Sequence, residues 1–203
     1  MKEYKLPIGC DVPETIILAD GDFPSHPLAL EWLRQCPYVV CCDGAANTYI
    51  RSGRMPEAIV GDGDSLLPDI KERYASLIHS EAEQETNDLS KAFRFCLSQE
   101  RRRITIMGAT GKREDHTIGN VSLLADYMEQ AEVSMMTDYG IFVPIREDSM
   151  FESYIGQQIS VFNMNSTALS AEGLAYPLSV FTNWWQGTLN EALARHFIIR
   201  TEG

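Results

Sequence analysis

Short apolar runs alternate with helix-forming stretches through the first two thirds of the chain, and that alternation decides the fold class. Glu14–Asp20 (ETIILAD), Tyr38–Cys42 (YVVCC), Glu57–Val60 (EAIV) and Ile104–Met107 (ITIM) are each four to seven residues long. Helical patterns follow near Leu28–Gln35, Ala45–Arg51, Leu67–Leu77, Asp88–Gln99 and from Thr117. Continuous apolar strands signal a sheet covered on both faces, and intervening helices supply the crossovers that parallel strands need. The clearest helix begins at Asp88, where Leu89, Ala92, Phe93, Cys96 and Leu97 fall on one face. Asn87 or Asp88 is placed to cap it. The helix from Thr117 carries a second stripe: Ile118, Val121, Leu124, Ala125 and Met128.

Beyond about residue 132 the pattern changes to short strands with turn residues between them: Val133–Met136, Ile141–Ile145, Met150–Tyr154, Gln158–Asn163, Leu169–Glu172 and Ala194–Arg200. The expected architecture is an N-terminal Rossmann-like, mostly parallel α/β domain over residues 1–140, followed by a small all-β sandwich domain over residues 141–203. At 203 residues the chain has room for two separate cores.

Acidic residues lie just past the predicted strands or at the heads of helices. Asp43 lies in CCDGAAN, Asp62 and Asp64 in IVGDGDS, Asp88 in QETNDLSKA and Asp115 in MGATGKREDH. Ligands of an open parallel sheet bind beyond the carboxyl ends of its strands, and carboxylates gathered there suit hard divalent cations and, through them, phosphates. Each motif taken alone has a plainer alternative. Asp62-Gly63-Asp64 is either a metal-binding turn or a solvated acidic one. Asp88 is either a ligand or a helix cap, although Lys91 on the same turn and off the apolar stripe is placed to meet a phosphate. Asp115-His116 reads as metal ligand, general base or cap. Gly108-Ala-Thr-Gly-Lys-Arg113 follows a strand and opens a helix, an arrangement that brings backbone N–H groups and positive charge to an anion. It is not a Walker A loop, since Arg113 stands where Ser or Thr is required.

Composition excludes other classes. The net charge of −12 argues against a general grip on nucleic acid. No stretch approaches the ~18 apolar residues of a membrane span, the first residues lack a signal-peptide core, and the cytoplasm is the expected location. Cysteines 10, 36, 41, 42 and 96 show no metal-ligand spacing. His26, His79 and His196 have no partners at useful spacing and read as structural or surface groups.

Taken in order, these motifs resemble the thiamine pyrophosphokinase family, with its DGGAN turn, GDxDS turn, Gln-x-x-Thr-Asp-x-x-Lys segment and G-R-x-D-H loop. Its Gly-Leu-x-Tyr/Trp-Pro/Asn-Leu stretch has a counterpart in Gly173–Leu178. Ala45, Gly63, Asn87 and Lys112 depart from the pattern. The resemblance implies transfer of the pyrophosphoryl group of ATP to the hydroxyl of thiamine, giving thiamine diphosphate and AMP by direct in-line transfer. It assigns Mg2+ to Asp62, Asp64 and Asp88. Lys91 and Arg113 would offset transition-state charge, and Asp43 and Asp115 would position metal waters or the attacking hydroxyl. Nucleotide contacts are expected at Gly21, Gly44, Asn47, Gly108, Gly111, Arg113 and His116, and thiamine contacts at Gln84, Asp88, Ser170 and Tyr176. The resemblance further implies a homodimer with the thiamine site between subunits, with Trp184 and Trp185 as interface or sandwich-core residues. The alternatives are another DxD metal-dependent nucleotide-sugar or phosphoryl transferase and a non-catalytic nucleotide or thiamine sensor. An aspartyl-phosphate phosphohydrolase fits poorly, because Asp64 is followed by Ser-Leu-Leu.

Overall fold

The structure, a computed structural model, describes residues 1–7, 11–81, 83 and 85–202. It divides into two compact units, Gly9–Pro144 and Met1–Ile8 with Ile145–Gly203. The first strand, β1 (Lys2–Tyr4), belongs to the second unit, where it pairs in parallel with a strand from Ser149–Glu152. The sequence expectation that residues 1–140 form one domain is therefore corrected at its start. β1 was invisible in the sequence because Lys-Glu-Tyr gives no apolar run.

The α/β unit is built from β2 (Thr15–Leu18), α1 (Pro27–Gln35), β3 (Val39–Cys42), α2 (Ala45–Arg51), β4 (Ala58–Gly61), α3 (Pro68–Arg73), β5 (Ile78–Ser80), α4 (Asp88–Ser98), β6 (Arg103–Met107), α5 (Glu114–Tyr127), β7 (Glu132–Met136) and β8 (Ile141–Phe142). Its seven strands lie in the order β5-β4-β3-β2-β6-β7-β8, parallel except for β8. The helix expected over Leu67–Leu77 stops at Arg73, gives way to a 3₁₀ turn at Ala75–Leu77 and leads into β5, which sequence patterning missed. Ile-His-Ser is too short and too polar to announce itself, as befits an edge strand. β8 likewise joins this sheet rather than the second domain to which residues 141–203 were assigned.

Neighbouring residues of the central strands face opposite layers. Ile16, Leu18, Val39, Cys41 and Ile59 pack with Ala29, Trp32, Leu33, Tyr49 and Ile70 of α1–α3. Ile17, Val40, Cys42 and Val60 pack on the other side with Leu89, Ala92, Phe93 and Cys96 of α4 and Leu124 and Tyr127 of α5. Burial on both faces explains the unbroken apolar runs and pushes the Cys41 and Cys42 thiols well above their ordinary range. Asn87 caps α4 by accepting from the Ser90 amide. In α5 only Leu124 and Tyr127 are fully buried and Ile118 is exposed, so the apolar stripe expected there covers the core only in its second half. Its first turns stand at the carboxyl edge of the sheet.

The second unit is all-β. Beside β1 it contains β9 (Ser149–Glu152), β10 (Gln158–Ile159), β11 (Ala168–Glu172), β12 (Asn190–Glu191) and β13 (His196–Glu202). A four-stranded sheet, β1-β9-β13-β11, and a two-stranded ribbon, β10-β12, enclose a small core of Leu178, Ala192, Phe197 and Ile199. Tyr4, Phe151 and Phe197 stack successively at 4.7 and 4.9 Å. Among the described residues no helix is long and apolar enough to cross a membrane.

Candidate active site

The order of the strands locates the site. From β2 the chain builds β3, β4 and β5 outward to one side, then returns to place β6 on the other side of β2. The loops leaving β2 and β6 therefore diverge, and the gap between them is the topological switch point where ligands of such sheets bind. The Gly21 amide donates to the Gly108 carbonyl at 2.6 Å and the Asp22 amide to the Thr110 carbonyl at 2.8 Å, pinning the two loops together. Lys112 donates from Nζ to the Asp20 carbonyl and to its Oδ1 at 2.9 and 3.1 Å. A cavity of ≈240 Å³ opens here, lined by Asp20, Asp22, Phe23, Thr48 and Lys112 among others. Gly44 is required beside it: a Cβ there would lie 2.5 Å from Asp20 Oδ2.

One strand further out, β3 and β4 carry the buried heart of the acidic cluster. Asp43 is 4% exposed and has φ of 28°, in the left-handed region. Its Oδ2 accepts from the Ser65 amide at 2.9 Å, whereas Oδ1 is buried without a hydrogen-bond partner. Burial first, then the neighbouring charges of Asp88 and Asp62, raise its carboxyl above the ordinary value, against the lowering effect of the Ser65 hydrogen bonds. Gly61 lets Asp43 and Asp88 converge, since a Cβ at residue 61 would lie 2.8 Å from the Asp43 Cβ and 3.4 Å from the Asp88 Cγ. Asp62 Oδ1 accepts from the Asp64 amide at 3.1 Å, and Lys71 Nζ donates to the Gly63 carbonyl at 2.9 Å, fixing the turn. Asp64 lines an open groove of ≈470 Å³ together with Lys71 and Glu72.

Lys91 differs most from its sequence reading. Expected off the apolar stripe, it is only 3% exposed, and its Nζ donates to Asp88 Oδ1 at 3.0 Å. Burial alone would push its pKa down, but the Asp88 hydrogen bond and the fields of Asp88, Asp62 and Glu83 hold it above the ordinary lysine value. Arg113 and Asp115 form a two-point fork at 3.1 and 2.5 Å at the start of α5, which pulls the exposed Asp115 carboxyl down to about 2. Both polar ends of Asn47 are committed to the loop after β4: Nδ2 donates to the Ser65 carbonyl and Oδ1 accepts from the Leu67 amide. Gln84 lies outside the described residues.

Among the described residues no three His, Cys, Asp or Glu side chains form a ready-made metal cage. The donor set nevertheless fits a hydrated hard cation. Magnesium takes one or two carboxylates and keeps its waters, and Asp43 presents a buried oxygen without a partner within the electrostatic reach of Asp62 and Asp88.

Comparison with known proteins decides the family. Residues 29–136 match the model of the "Thiamin pyrophosphokinase, catalytic domain", and residues 140–203 that of the "Thiamin pyrophosphokinase, substrate-binding domain". The chain belongs to the thiamin pyrophosphokinase family. Over 129 residues it is 30% identical to Thiamine pyrophosphokinase 1 of Oryza sativa subsp. japonica, covering 51% of this chain and 49% of that protein. It is 34% identical over 86 residues to Thiamine pyrophosphokinase of Bacillus subtilis, covering 40% of each. The chain spans about half the length, or less, of the curated relatives it matches. Solved structures share the fold at low identity. Yeast thiamin pyrophosphokinase superposes with a TM-score of 0.76 at 14% identity, covering 99% of this chain and 87% of that one. The Candida albicans protein gives 0.72 at 18%, covering 98% and 89%.

In this thiamin pyrophosphokinase family member the all-β unit displays the remaining candidates. Tyr176 is exposed, and buried Asn190 grips its backbone by accepting from the amide at 3.0 Å and donating to the carbonyl at 2.8 Å. Ser170 lies on the exposed face of β11, between the inward Leu169 and Ala171. Trp184 and Trp185 are 52% and 71% exposed, which removes the core-packing alternative.

Sequence reasoning named Gly21 but missed Asp20, Asp22, Asn120 and Asp138 near the switch point. Asp20-Gly21-Asp22 repeats the Asp-Gly-Asp spelling of residues 62–64 after a strand, a signal that was available. Asn120 accepts from Asn87 Nδ2 at 3.1 Å and donates to the Ala109 carbonyl at 2.8 Å, linking the head of α4 to the glycine-rich loop. Asp138 accepts from the Ser25 and His26 amides, each at 2.9 Å, and braces the β2–α1 loop. His26 in turn caps α1 through Nδ1. The Asn120 and Asp138 links depend on long-range contacts with no sequence spacing to reveal them, whereas the His26 cap is local and agrees with its reading as a structural group.

Proposed function

We propose that the chain is a magnesium-dependent thiamine pyrophosphokinase, moving the pyrophosphoryl group of ATP to the hydroxyl oxygen of thiamine. The observation that carries this reading is the convergence of Asp43, Asp62 and Asp88 with buried Lys91 at the sheet edge, beside the glycine-rich loop, in a member of this family. In the reaction the thiamine oxygen forms a bond to the β-phosphorus of ATP. The bond from that phosphorus to the oxygen it shares with the α-phosphorus breaks, AMP departs with the electron pair, and the proton of the hydroxyl passes to water. Such a transfer calls for placement and charge stabilisation rather than a covalent nucleophile.

Asp62, Asp64 and Asp88 would hold magnesium, which when bound neutralises polyphosphate charge; the free oxygen of Asp43 supports a shared role. Lys91, fixed by Asp88 and shielded from water, keeps its proton and offers positive charge without reorganising. Arg113 is held by Asp115 at the head of α5, just after the glycine-rich loop, where Gly108 and Gly111 let the loop pack closely on the Ala19 carbonyl and the Asp22 carboxylate. His116, in the first turn of α5, and Gly21, Gly44 and Asn47 complete the nucleotide-facing edge, Asn47 by bracing the loop after β4. Gln84, Asp88, Ser170 and Tyr176 would contact thiamine, with Tyr176 stacking on the cationic thiazolium. The α/β unit thus serves as the catalytic domain and the all-β unit as the thiamine-binding and dimerisation domain. Exposed Trp184 and Trp185 support a homodimer whose thiamine site lies between subunits, and a cytoplasmic location suits the substrates.

Incubation with ATP, magnesium and thiamine should yield AMP and thiamine diphosphate in equal amounts. Asp88→Asn should lower turnover roughly 10²–10³-fold, the range for loss of one charge-stabilising group. Release of ADP or orthophosphate, or no turnover, would overturn the assignment.

A further inference from the structure

The geometry points to Lys112 as the cation that draws the anionic part of the nucleotide donor into the switch-point cavity, a role that rests on the reading of the site as an ATP site. Its backbone has φ of 59°, in the region that disfavours any residue bearing a Cβ. Glycine would sit there without strain, yet this chain places a lysine. Strained residues of this kind gather where a side chain serves a ligand.

The position of the ammonium gives the strain a purpose. Nζ bridges the carbonyl and Oδ1 of Asp20 at the wall of the ≈240 Å³ cavity. Among the described residues lining that cavity, Lys112 alone carries positive charge, and it faces the carboxylates of Asp20 and Asp22. An incoming polyphosphate would be repelled by those two groups if nothing offset them. Asp20 is itself held in place, because its Oδ2 fills the space where a Cβ on Gly44 would stand. The pair therefore parks the ammonium at the cavity instead of leaving it in bulk solvent.

The pair is also easy to open. Its two side chains are 54% and 46% exposed, and ion pairs so open to water are weak. A polyphosphate, more highly charged as a whole than one carboxylate, can take Asp20's place at little cost. Lys112 is thus a parked phosphate ligand and Asp20 its resting partner. In a chain of net charge −12, this local cation raises donor affinity where the overall field opposes it.

Calorimetric titration of the full chain with ATP, and separately with tripolyphosphate, tests the assignment. Lys112→Met and Lys112→Gly should each bind both probes roughly ten- to fifteenfold more weakly, the low end for a hydrogen bond to a charged group. Lys112→Arg should stay within about twofold of the parent, since it restores the charge. The melting temperature of Lys112→Gly should equal or exceed the parent's, because the backbone strain is relieved. Unchanged affinity in Lys112→Met, or a lower melting temperature in Lys112→Gly with affinity intact, would show a structural clip and overturn the proposal. A parent chain that binds neither probe would overturn it too. Lys112-dependent binding of ATP without AMP formation from thiamine would instead sink the pyrophosphokinase reading and leave this one standing.

Discussion

Replacing Lys91 with methionine probes the site where structure and chemistry are most tightly joined. The methionine stem occupies the space of the lysine's methylenes on α4, so the change removes the ammonium and little else. Breaking a fully buried ion pair from one side costs about 3–5 kcal/mol, because the surviving charge is stranded. Here the survivor, Asp88, keeps 35% of its side-chain surface in contact with solvent. Water therefore screens part of the loss, and the expected cost is about 2 kcal/mol. Asp88 would then face Asp43 and Asp62 without the Lys91 charge. For a chain of this size the melting temperature should fall by about 4–8 °C. The Lys91 pKa is held above its unfolded value of 10.5. Its stabilising contribution is therefore complete below pH 10.5 and fades as the pH climbs through the higher folded value. The deficit of the variant should be flat from neutral pH to pH 9 and should shrink only in stronger alkali.

The decisive assay is a double-mutant cycle by chemical denaturation. In an Asp88→Asn background no carboxylate is left to strand, so Lys91→Met should cost little there. A coupling of at least ~1.5 kcal/mol is expected between the two positions. Additivity within about 0.5 kcal/mol would refute the pairing argument. Lys91 would then be a packed side chain whose charge contributes nothing to the fold.

Asp43→Asn should stabilise the fold while turnover is lost. Its folded pKa lies above the unfolded 3.8, so the ionised group is a burden that appears as pH rises above that value. Removing the charge should lift the melting temperature by about 2–4 °C at neutral pH, equivalent to ~1 kcal/mol, with the gain vanishing below about pH 4; a lower melting point throughout would contradict it. Arg113→Met should release the Asp115 carboxyl from about 2 toward 3.8, visible as a shifted carbon-13 titration. Stability owed to that pair is present above 3.8 and is lost as the pH falls through about 2, so the variant should be less sensitive to acid in that window. Gly61→Ala places a methyl 2.8 Å from the Asp43 Cβ and should cost about 1–3 kcal/mol by overpacking. Unaltered melting and activity would show that Asp43 and Asp88 are less crowded than described.

Local signals were legible wherever a short stretch of chain fixes its own conformation. The apolar runs at Ile16–Leu18, Val39–Cys42 and Ile104–Met107 announced buried parallel strands, because only a two-sided sheet hides every residue. The stripe Leu89-Ala92-Phe93-Cys96 gave the face of α4, and Asn87 its cap. The acidic turns after the strands followed from topology, since parallel strands bring their carboxyl ends to one edge. What stayed hidden has no periodicity. β1 and β5 are three residues long and read as strands only when β9 and β4 are there to pair with them.

By itself the sequence determined the fold class, the edge of the sheet that carries the chemistry and the acidic character of the site, since each depends on patterns repeated over a few residues. Tertiary structure alone decided that Lys91 is buried against Asp88 and that Asp43 keeps an oxygen without a partner. It also decided that Asp20 meets Lys112 across the switch point, 92 residues apart in the chain. Burial and charge pairing are properties of neighbours in space, and loops from different crossovers become neighbours only once the sheet has closed its order.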